Sequence, residues 1–308
     1  AFPSSPGSQG VRPDVRIAGR NIDGNFGILA FNYFPNNGDM VIDTADSFYT
    51  GTADNSRGLR NVLAHEHGHG LGFNHVIPVD QSKLMEPTVS TLYDGPQYDD
   101  ILAIQRMYGD AYVDNDTTAT ASDLGLIDNA TVTLGADATG LVDGDGDGTI
   151  DVPVALSHVD FVSIDGTSDT DVFRFSAVSG ATATITLSPV GPTYSEGPQG
   201  GSSSSFDASV QSDLSLELIG PDGSTVLASS GSGGLGETEL IANQYLGSSG
   251  VYYARVTGAQ DVVQTYQLDI AVTGGGDGDP GTPGTPGSGA LTGETLLGGS
   301  GQDTLVGA

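Results

Sequence analysis

The sequence of 308 residues contains no cysteine and no tryptophan, and its 9 basic residues face 39 acidic ones. Without cysteine, the chain can form no disulfide bond. The formal net charge of −30 is expected to repel nucleic acids and anionic lipid surfaces, so we predict neither as a partner. No run of eighteen apolar residues occurs, and a membrane-spanning helix is therefore not predicted.

Aspartate makes up most of the acidic residues, and glycine is abundant, with 47 residues. Aspartate is a poor helix former but a good turn residue and a calcium ligand. The composition therefore predicts a soluble protein rich in β-structure, with carboxylate-lined loops and structural calcium.

The segment from His65 to His75 reads HEHGHGLGFNH and fits the pattern HExxHxxGxxH. In a helix, residues four positions apart lie on one face about 6 Å apart along the axis, so His65 and His69 can direct their imidazoles at one ion. Gly72 is predicted to end the helix in a left-handed conformation, which turns the chain so that His75 can supply a third nitrogen. The spacing predicts a zinc site.

Three protein ligands leave one coordination position for water, as catalytic zinc requires. Glu66 lies beside the two helical ligands and is the candidate general base. His67 fits no fixed position and is expected to be an exposed neighbour, and His158 is expected to be structural. The competing interpretation is a chance match on an ordinary amphipathic helix, which the additional fixed positions disfavour.

The features that follow the motif resemble the metzincin metallopeptidases and, among them, the matrixins. Met85 follows His75 at a short distance and resembles the methionine of the Met-turn beneath the zinc ligands. Pro87 favours the matrixin branch. The segment Tyr98–Gly109 resembles the C-terminal helix of matrixins.

Within that last segment, Asp99 or Asp100 is expected to cap the helix. Ile101, Ile104 and Tyr108 are expected to form its inward face. The resemblance implies an α+β metzincin-like catalytic domain with a mixed sheet, the active-site helix and this C-terminal helix.

We place the catalytic domain at residues 1–112. Its sheet strands are expected near Asp14–Ile17, Gly27–Phe31 and Gly38–Asp43. A metzincin domain opens with a strand and a long helix where this chain has Ala1–Pro13, which is rich in Pro, Ser and Gly. We therefore expect a fragment, a processed form or a reduced fold.

After residue 112 the sequence changes to short alternating strands separated by Gly, Asp and Ser, which predicts an all-β antiparallel sandwich over 113–273. The clearest strand patterns are Asp169–Phe175, Ala183–Leu187, Gly250–Val256 and Tyr266–Ile270, and Leu214–Gly223 predicts a hairpin. Their order resembles the bacterial pre-peptidase C-terminal domain. That resemblance implies an accessory role in substrate binding or secretion, and a stabilising spacer is the alternative.

One segment carries carboxylates at alternate positions, as in the first half of an EF-hand calcium loop. Its candidate calcium ligands are Asp143, Asp145, Asp147 and Asp151. Val154 stands where that loop has its bidentate acid. A calcium loop completed by distant carboxylates is the preferred interpretation, and a solvated acidic turn is the alternative. Further candidate calcium ligands are Asp169, Asp171, Asp43 and Asp46.

Residues 274–289, rich in Gly, Pro and Thr, predict a flexible, extended linker. Within 290–308, Gly298–Val306 fits the calcium-binding nonapeptide GGxGxDxUx of RTX proteins, with Asp303 as the candidate ligand. One such repeat cannot stack alone, so we expect the start of a longer array. An array of this kind implies type I secretion and folding triggered by extracellular calcium.

The sequence as a whole predicts a secreted, extracellular bacterial zinc metalloendopeptidase that acts as a monomer on protein or peptide substrates. Glu66 is the predicted base, and catalytic zinc and structural calcium are the predicted cofactors. The alternative is a catalytically inactive adhesive or matrix-binding calcium protein, which the short N-terminal segment motivates. A third candidate, a zinc hydrolase with non-peptide substrates, is disfavoured by the Met-turn and the C-terminal helix.

Overall fold

The computed structural model describes residues 15–35, 37–136 and 160–275. These residues belong to one compact unit, Ala1–Gly276, and a second unit comprises Asp277–Ala308. Several sequence predictions fall outside the described residues: His158, the candidate calcium ligands Asp143, Asp145, Asp147, Asp151 and Asp303, nearly all of the linker and the RTX-like segment.

A small mixed sheet and two helices form the N-terminal part. The elements are β1 (Arg16–Arg20), β2 (Ala30–Asn32), β3 (Asp39–Asp43), a 3-10 turn (Ser47–Thr50), α1 (Ala53–Leu71), β4 (Val76–Ile77) and α2 (Tyr98–Tyr108). The central strand β3 pairs in parallel with β1 and antiparallel with β2. In the described sheet β2 is therefore an edge strand.

The helix α1 carries the histidine motif. Its first turn is irregular, because Asp54, Asn55 and Ser56 have left-handed backbone angles, with φ of 51°, 56° and 61°. The helix ends at Gly72, whose φ of 111° confirms the predicted left-handed position. Among the helices that the structure describes, none has the length and apolar character needed to cross a membrane.

Two carboxylates hold the loop that leads into β2. Asp43 Oδ2 accepts hydrogen bonds from the backbone N–H groups of Asp23 (3.1 Å) and Gly24 (3.0 Å). Asp46 Oδ2 accepts one from the N–H of Phe26 (2.9 Å). Because both carboxylates are buried, these bonds fix the loop against the end of β3.

The remaining strands form two five-stranded sheets and a separate hairpin. They are β5 (Ser122–Leu126), β6 (Ala130–Leu134), β7 (Val162–Ile164), β8 (Thr170–Ala177), β9 (Ala181–Pro189), β10 (Thr193–Pro198), β11 (Ser204–Asp207), β12 (Leu214–Ile219), β13 (Val226–Ser230), β14 (Glu239–Leu246), β15 (Gly250–Gly258) and β16 (Gln264–Thr273). One sheet has the order β13-β12-β15-β8-β5, and the other has β14-β9-β16-β6 with β7 also on β16.

The strand patterns identified in the sequence correspond to β8, β9, β12, β15 and β16. The predicted purely antiparallel arrangement is wrong at one edge, since β5 pairs in parallel with β8. Between these two strands the chain crosses to the other sheet and forms β6 and β7 there, so no hairpin fixes their relative direction. The sequence patterns also missed short strands such as β5 and β10, whose side chains are mostly half-buried or exposed and alternate weakly.

Alternation between buried and less buried side chains builds the core between the two sheets. Phe173 and Phe175 on β8 face Leu268 and Ile270 on β16 in one cluster of fully buried residues. One buried polar contact also joins the sheets, because the hydroxyl of Tyr266 donates to Asp171 Oδ2 at 2.5 Å.

The buried face of α2 packs against this β-rich part. Tyr98 and Leu102 lie in a cluster with Phe161, Ala208 and Val263. Ile101 of the predicted inward face also packs against this cluster, and Ile104 is half-buried. The prediction is wrong for Tyr108, which is 52% exposed.

The reason for this difference is the partner of α2. Sequence periodicity predicted an inward face but no packing partner, and the helix contacts residues more than 50 positions further along the chain. Gln105, also buried, donates from Nε2 to the backbone carbonyl of Phe161 at 2.8 Å. The N-cap of α2 is Gln97, and Asp100 is the reciprocal member of its capping box.

The hairpin β10–β11 reaches from the β-rich part to the N-terminal part. Strand β10 pairs antiparallel with β4, with Gly197 opposite Ile77 and Pro198 opposite Val76. Together β11, β10 and β4 form a three-stranded sheet. The chain segment just after the histidine motif is thereby held by residues about 120 positions away.

We predict that Asp171→Asn stabilises the protein at pH 8. Burial raises the pKa of Asp171 well above its ordinary value, and the charges of Asp110, Asp169 and Asp116 raise it further. The ionised form of Asp171 is thus disfavoured in the folded state. Asp171 therefore lowers the free energy of unfolding as the pH rises above about 4, and this loss reaches its full size above the folded-state pKa. Asparagine cannot ionise and still accepts the bond from Tyr266. We expect the free energy of unfolding at pH 8 to increase, as measured by urea unfolding.

The gain should shrink as the pH falls to about 3, where Asp171 is largely protonated in both states of the wild type. Asp222→Asn is the matched control, because hydrogen bonds from Thr225 lower the pKa of the exposed Asp222 to about 2. That variant should give no gain at pH 8. An Asp171→Asn variant that is less stable than the wild type at pH 8 would contradict the prediction.

Candidate active site

The helix α1 places the first motif residues in one cleft. His65 and His69 lie one turn apart, so their side chains leave the helix on the same face. Glu66 is 6% exposed, whereas His67 is exposed to solvent on another face. His65, Glu66 and His69 thus line the cleft, and His67 does not.

The turn after α1 brings the third histidine to the first two. Gly72 donates its N–H to the carbonyls of Gly68 and His69, which closes the end of the helix. His75 Nε2 lies 3.2 Å from His65 Nε2 and 3.1 Å from His69 Nε2. In the part of the chain that the structure describes, these histidines are the one group of three or more side chains suited to hold a metal ion.

The geometry and the donor set both fit zinc. With Zn–N distances of about 2.0–2.1 Å, tetrahedral coordination places two ligand nitrogens about 3.3 Å apart. The separations of 3.2 Å and 3.1 Å to His75 are close to that value. Three imidazoles are a ligand set found at catalytic zinc.

Each histidine has a hydrogen-bond acceptor at Nδ1. His65 Nδ1 is 2.6 Å from the carbonyl oxygen of Leu84, and His69 Nδ1 is 2.7 Å from that of Phe73. His75 Nδ1 is 3.1 Å from Gln199 Oε1. Acceptors at Nδ1 place the proton there and leave the lone pair of each Nε2 free for the metal.

Burial favours the neutral imidazoles that metal binding requires. The pKa of His65 is lowered to about 4, mainly by desolvation and also by the neighbouring His69 and His75. The hydrogen bond to the carbonyl of Leu84 acts in the opposite direction. Desolvation likewise lowers the pKa of His69. Both ligands are therefore unprotonated near neutral pH.

Glu66 lies in an environment that disfavours an isolated charge. Burial raises its pKa to about 7, while a backbone hydrogen bond from Asn32 on β2 opposes the shift. Its Oε2 is buried and has no hydrogen-bond partner among the described residues. A buried carboxylate oxygen without a partner beside three metal-binding imidazoles fits a general base that shares a water with the metal.

Met85 packs against α1 at Gly68. It is 3% exposed, and a Cβ at position 68 would lie 2.4 Å from its Sδ, so only glycine lets the two segments approach this closely. Asp100 holds the turn: its carboxylate accepts the N–H groups of Leu84 (2.9 Å) and Met85 (3.1 Å). Since the carbonyl of Leu84 accepts from His65, Asp100 is connected to a candidate metal ligand through one peptide unit.

The cleft around the histidines has a volume of about 720 Å³. One wall is the edge strand β2 with the preceding residues from Gly27, and the other is the segment Pro87–Ser90. Gln199 lines the cleft on the His75 side. A cleft that has a strand edge on one side is suited to an extended peptide.

Two residues that shape the site were missed at the sequence level. Asn61 is buried and donates from Nδ2 to the carbonyls of Ser90 (3.0 Å) and Tyr93 (2.8 Å), which fixes one wall of the cleft. Gln199 contacts His75 across 124 positions of sequence. Neither belongs to a motif, and no local pattern in the sequence indicates either contact.

The candidate calcium ligands in the described residues use their carboxylates within the protein. Asp43 and Asp46 bind backbone N–H groups as described above. Asp169 Oδ2 accepts the N–H of Asp165 at 2.7 Å, and Asp171 accepts the hydroxyl of Tyr266. Calcium binding stays a prediction from the sequence.

Comparison with known proteins agrees with this geometry. Residues 14–109 match the family model of the matrixins, peptidase family M10. A hatching enzyme of Paracentrotus lividus is 36% identical over 108 residues, which cover 33% of this chain and 17% of that protein. Residues 14–109 of the chain are therefore similar to the matrixins, and the chain spans only about a sixth of the length of the relative that it matches.

Two solved structures are similar to the chain with TM-scores of 0.25 each. The pre-peptidase C-terminal domain of a collagenase from Bacillus anthracis is 15% identical and covers 49% of this chain and 93% of that chain. The periplasmic lysozyme inhibitor PliG from Aeromonas hydrophila is 14% identical and covers 49% of this chain and 99% of that chain. Scores this low establish neither the fold nor a role for the β-rich part.

We predict that the metal-free protein binds one zinc ion per chain and that His69→Ala weakens binding by more than about 100-fold. Loss of an outer-shell partner already costs 10–100-fold, and loss of a direct ligand costs more. Zinc titration against a chromophoric chelator measures the affinity. His67→Ala removes the exposed histidine of the same helix and should leave the affinity unchanged. Equal affinities for the two variants would show that the three histidines are not the ligands.

Proposed function

We propose that this chain is a secreted zinc metalloendopeptidase that hydrolyses peptide bonds of extracellular proteins. The observation that carries the proposal is the meeting of three Nε2 atoms in a cleft that also contains the buried carboxylate of Glu66. The matrixin match over residues 14–109 supports the same reaction class.

His65, His69 and His75 hold the zinc ion in this proposal. When bound, zinc lowers the pKa of a water toward about 7 and polarises the scissile carbonyl group. The three neutral imidazoles leave one coordination position of the zinc ion free for the water or for the carbonyl oxygen of the substrate. Met85 supports the helix from below and does not contact the substrate.

Glu66 acts as the general base and then as the general acid. Its carboxylate takes a proton from the attacking water and later gives it to the leaving amine. The burial of Glu66 supports this double role, since a desolvated carboxylate binds a proton more readily than an exposed one.

The substrate lies as an extended strand along β2. In the described sheet β2 pairs on one side only, with β3, and its other side borders the cleft. Backbone hydrogen bonds to a strand edge give affinity for any extended peptide, and side-chain pockets add the preference for particular residues. This mode suits an endopeptidase that acts within unfolded or flexible segments.

Calcium and export are the remaining parts of the proposal. The proposed calcium ligands are the carboxylates of Asp143, Asp145, Asp147, Asp151 and Asp303. The excess of acidic over basic residues supports cation binding. Export would expose these segments to calcium at extracellular concentrations. Detection of the chain in the culture medium of its producing cells tests the location.

We predict that Glu66→Gln abolishes turnover and retains zinc. Glutamine keeps the size of the side chain but cannot accept the proton, and general acid-base catalysis contributes about 10²–10⁴-fold. Cleavage of casein and denatured collagen, with zinc and calcium present, measures the activity. The zinc content of the same preparation measures metal retention.

His67→Ala is the matched control, because it alters the same helix outside the cleft and should cleave at the wild-type rate. A chelator should abolish the activity of the wild type. A folded, zinc-loaded wild type that cleaves neither substrate would contradict the proposal and favour the adhesive or matrix-binding alternative. Undiminished activity of Glu66→Gln would contradict the role assigned to that residue.

A further inference from the structure

His75 differs from the other two histidines in the origin of its hydrogen-bond partner. The acceptors for His65 and His69 are backbone carbonyls of the N-terminal part, at Leu84 and Phe73. The acceptor for His75 is the side chain of Gln199, which lies just after β10. Only the third ligand is thus oriented by a residue of the β-rich part.

The backbone around Gln199 is joined to that of His75. The N–H of Gln199 donates to the carbonyl oxygen of His75 at 3.2 Å, and the pairing of β10 with β4 begins at the next residues. Gln199 therefore contacts His75 twice, once through its main chain and once through Oε1. Two contacts to one residue restrain both its backbone and its ring.

A tight turn presents the Gln199 side chain to the cleft. The N–H of Gly201 donates to the carbonyl of Pro198 at 3.0 Å, which closes a turn over four residues. Gly200, the third of these, has a φ of 83°, a conformation that glycine adopts without steric cost. The sequence Pro-Gln-Gly-Gly thus fixes the position of Gln199.

The hairpin is also anchored by its side chains. The hydroxyl of Tyr194 on β10 donates to Asp99 Oδ1 on α2 at 3.2 Å. The ammonium of Lys83, which is 3% exposed, lies 5.9 Å from the centre of the Tyr194 ring. The same ring contacts those of Tyr98 and Phe206. These contacts hold β10 against both α2 and the loop that contains Met85.

We propose that Gln199 is a positioning residue for the zinc ligand His75, so that the β-rich part completes the metal site of the N-terminal part. The inference rests on the proposed zinc site and adds a residue to it. Gln199 accepts the Nδ1 proton of His75 and directs the lone pair of Nε2 toward the point where the other two imidazoles meet. The hairpin β10–β11 is the element that delivers this residue.

Three substitutions of Gln199 in the full chain test the proposal. Gln199→Leu keeps most of the bulk but removes the acceptor, and Gln199→Ala removes both. Gln199→Glu keeps an acceptor oxygen. Ser203→Ala, an exposed position on the same hairpin, is the matched control. Thermal unfolding of each metal-free variant identifies any that fail to fold, and the remaining variants carry the test.

We expect Gln199→Leu and Gln199→Ala to weaken zinc binding about tenfold, while Gln199→Glu and Ser203→Ala remain within about threefold of the wild type. Loss of an outer-shell partner weakens metal affinity by about 10–100-fold. We expect the lower end of this range, because Gln199 is exposed and a water molecule can partly replace its hydrogen bond to His75. The visible absorption spectrum of the Co²⁺-loaded protein should also change in the Leu and Ala variants. Zinc affinities within twofold of the wild type, together with an unchanged Co²⁺ spectrum, would overturn the proposal.

These measurements separate this inference from the proposed function. Zinc affinity and the Co²⁺ spectrum are read without turnover, so they support the role of Gln199 even in a chain that cleaves nothing. Conversely, the wild type could cleave casein while the substitutions of Gln199 leave zinc affinity unchanged. That result would support the proposed function and overturn this inference. In an active enzyme, the Leu variant is expected to lower kcat more than it changes KM, since Gln199 orients a metal ligand.

Discussion

Three imidazoles can bind one metal ion only when each directs the lone pair of Nε2 to the same point, and this requires an acceptor for each Nδ1 proton. The acceptors here belong to three different segments: the turn after α1 supplies Phe73, the loop beneath the helix supplies Leu84, and the hairpin β10–β11 supplies Gln199. Each segment is held in turn by further contacts. The geometry of the site therefore depends on segments outside the motif as well as on the motif itself.

Asp100 connects two of these requirements. It lies in the first turn of α2, where it caps the helix, and its carboxylate also accepts the N–H groups of Leu84 and Met85. Burial raises the pKa of Asp100 to about 6, because the charge is costly in this environment even with three backbone donors. The position of α2 thus fixes the loop whose carbonyl orients His65. Whatever fixes α2 also supports the zinc site.

How far the sequence predicted the site depends on the distance between the interacting residues. The helical spacing of His65 and His69 and the turn at Gly72 are local, so a pattern of eleven residues predicted where three imidazoles would meet. Strands with strong alternation, such as β8 and β15, were also visible in the sequence. The role of Gln199 was not, because it depends on a hairpin that pairs with β4 from 120 positions away. A glutamine in a glycine-rich turn has no local feature that marks it.

The error in the buried face of α2 has the same physical origin and also reveals how the two parts of the chain depend on each other. Tyr98 and Leu102 are buried because they pack on Phe161, Ala208 and Val263, and the full burial of each large apolar side chain contributes about 1.5–3 kcal/mol. Domains are stable by only about 5–15 kcal/mol in total, so loss of this contact would remove a large fraction of the stability of the smaller N-terminal part. The same surface positions α2, and α2 positions Asp100. The β-rich part is therefore connected to the candidate zinc ligands by two routes, through α2 to His65 and through Gln199 to His75. Its packing supports the geometry of the site as well as the stability of the chain.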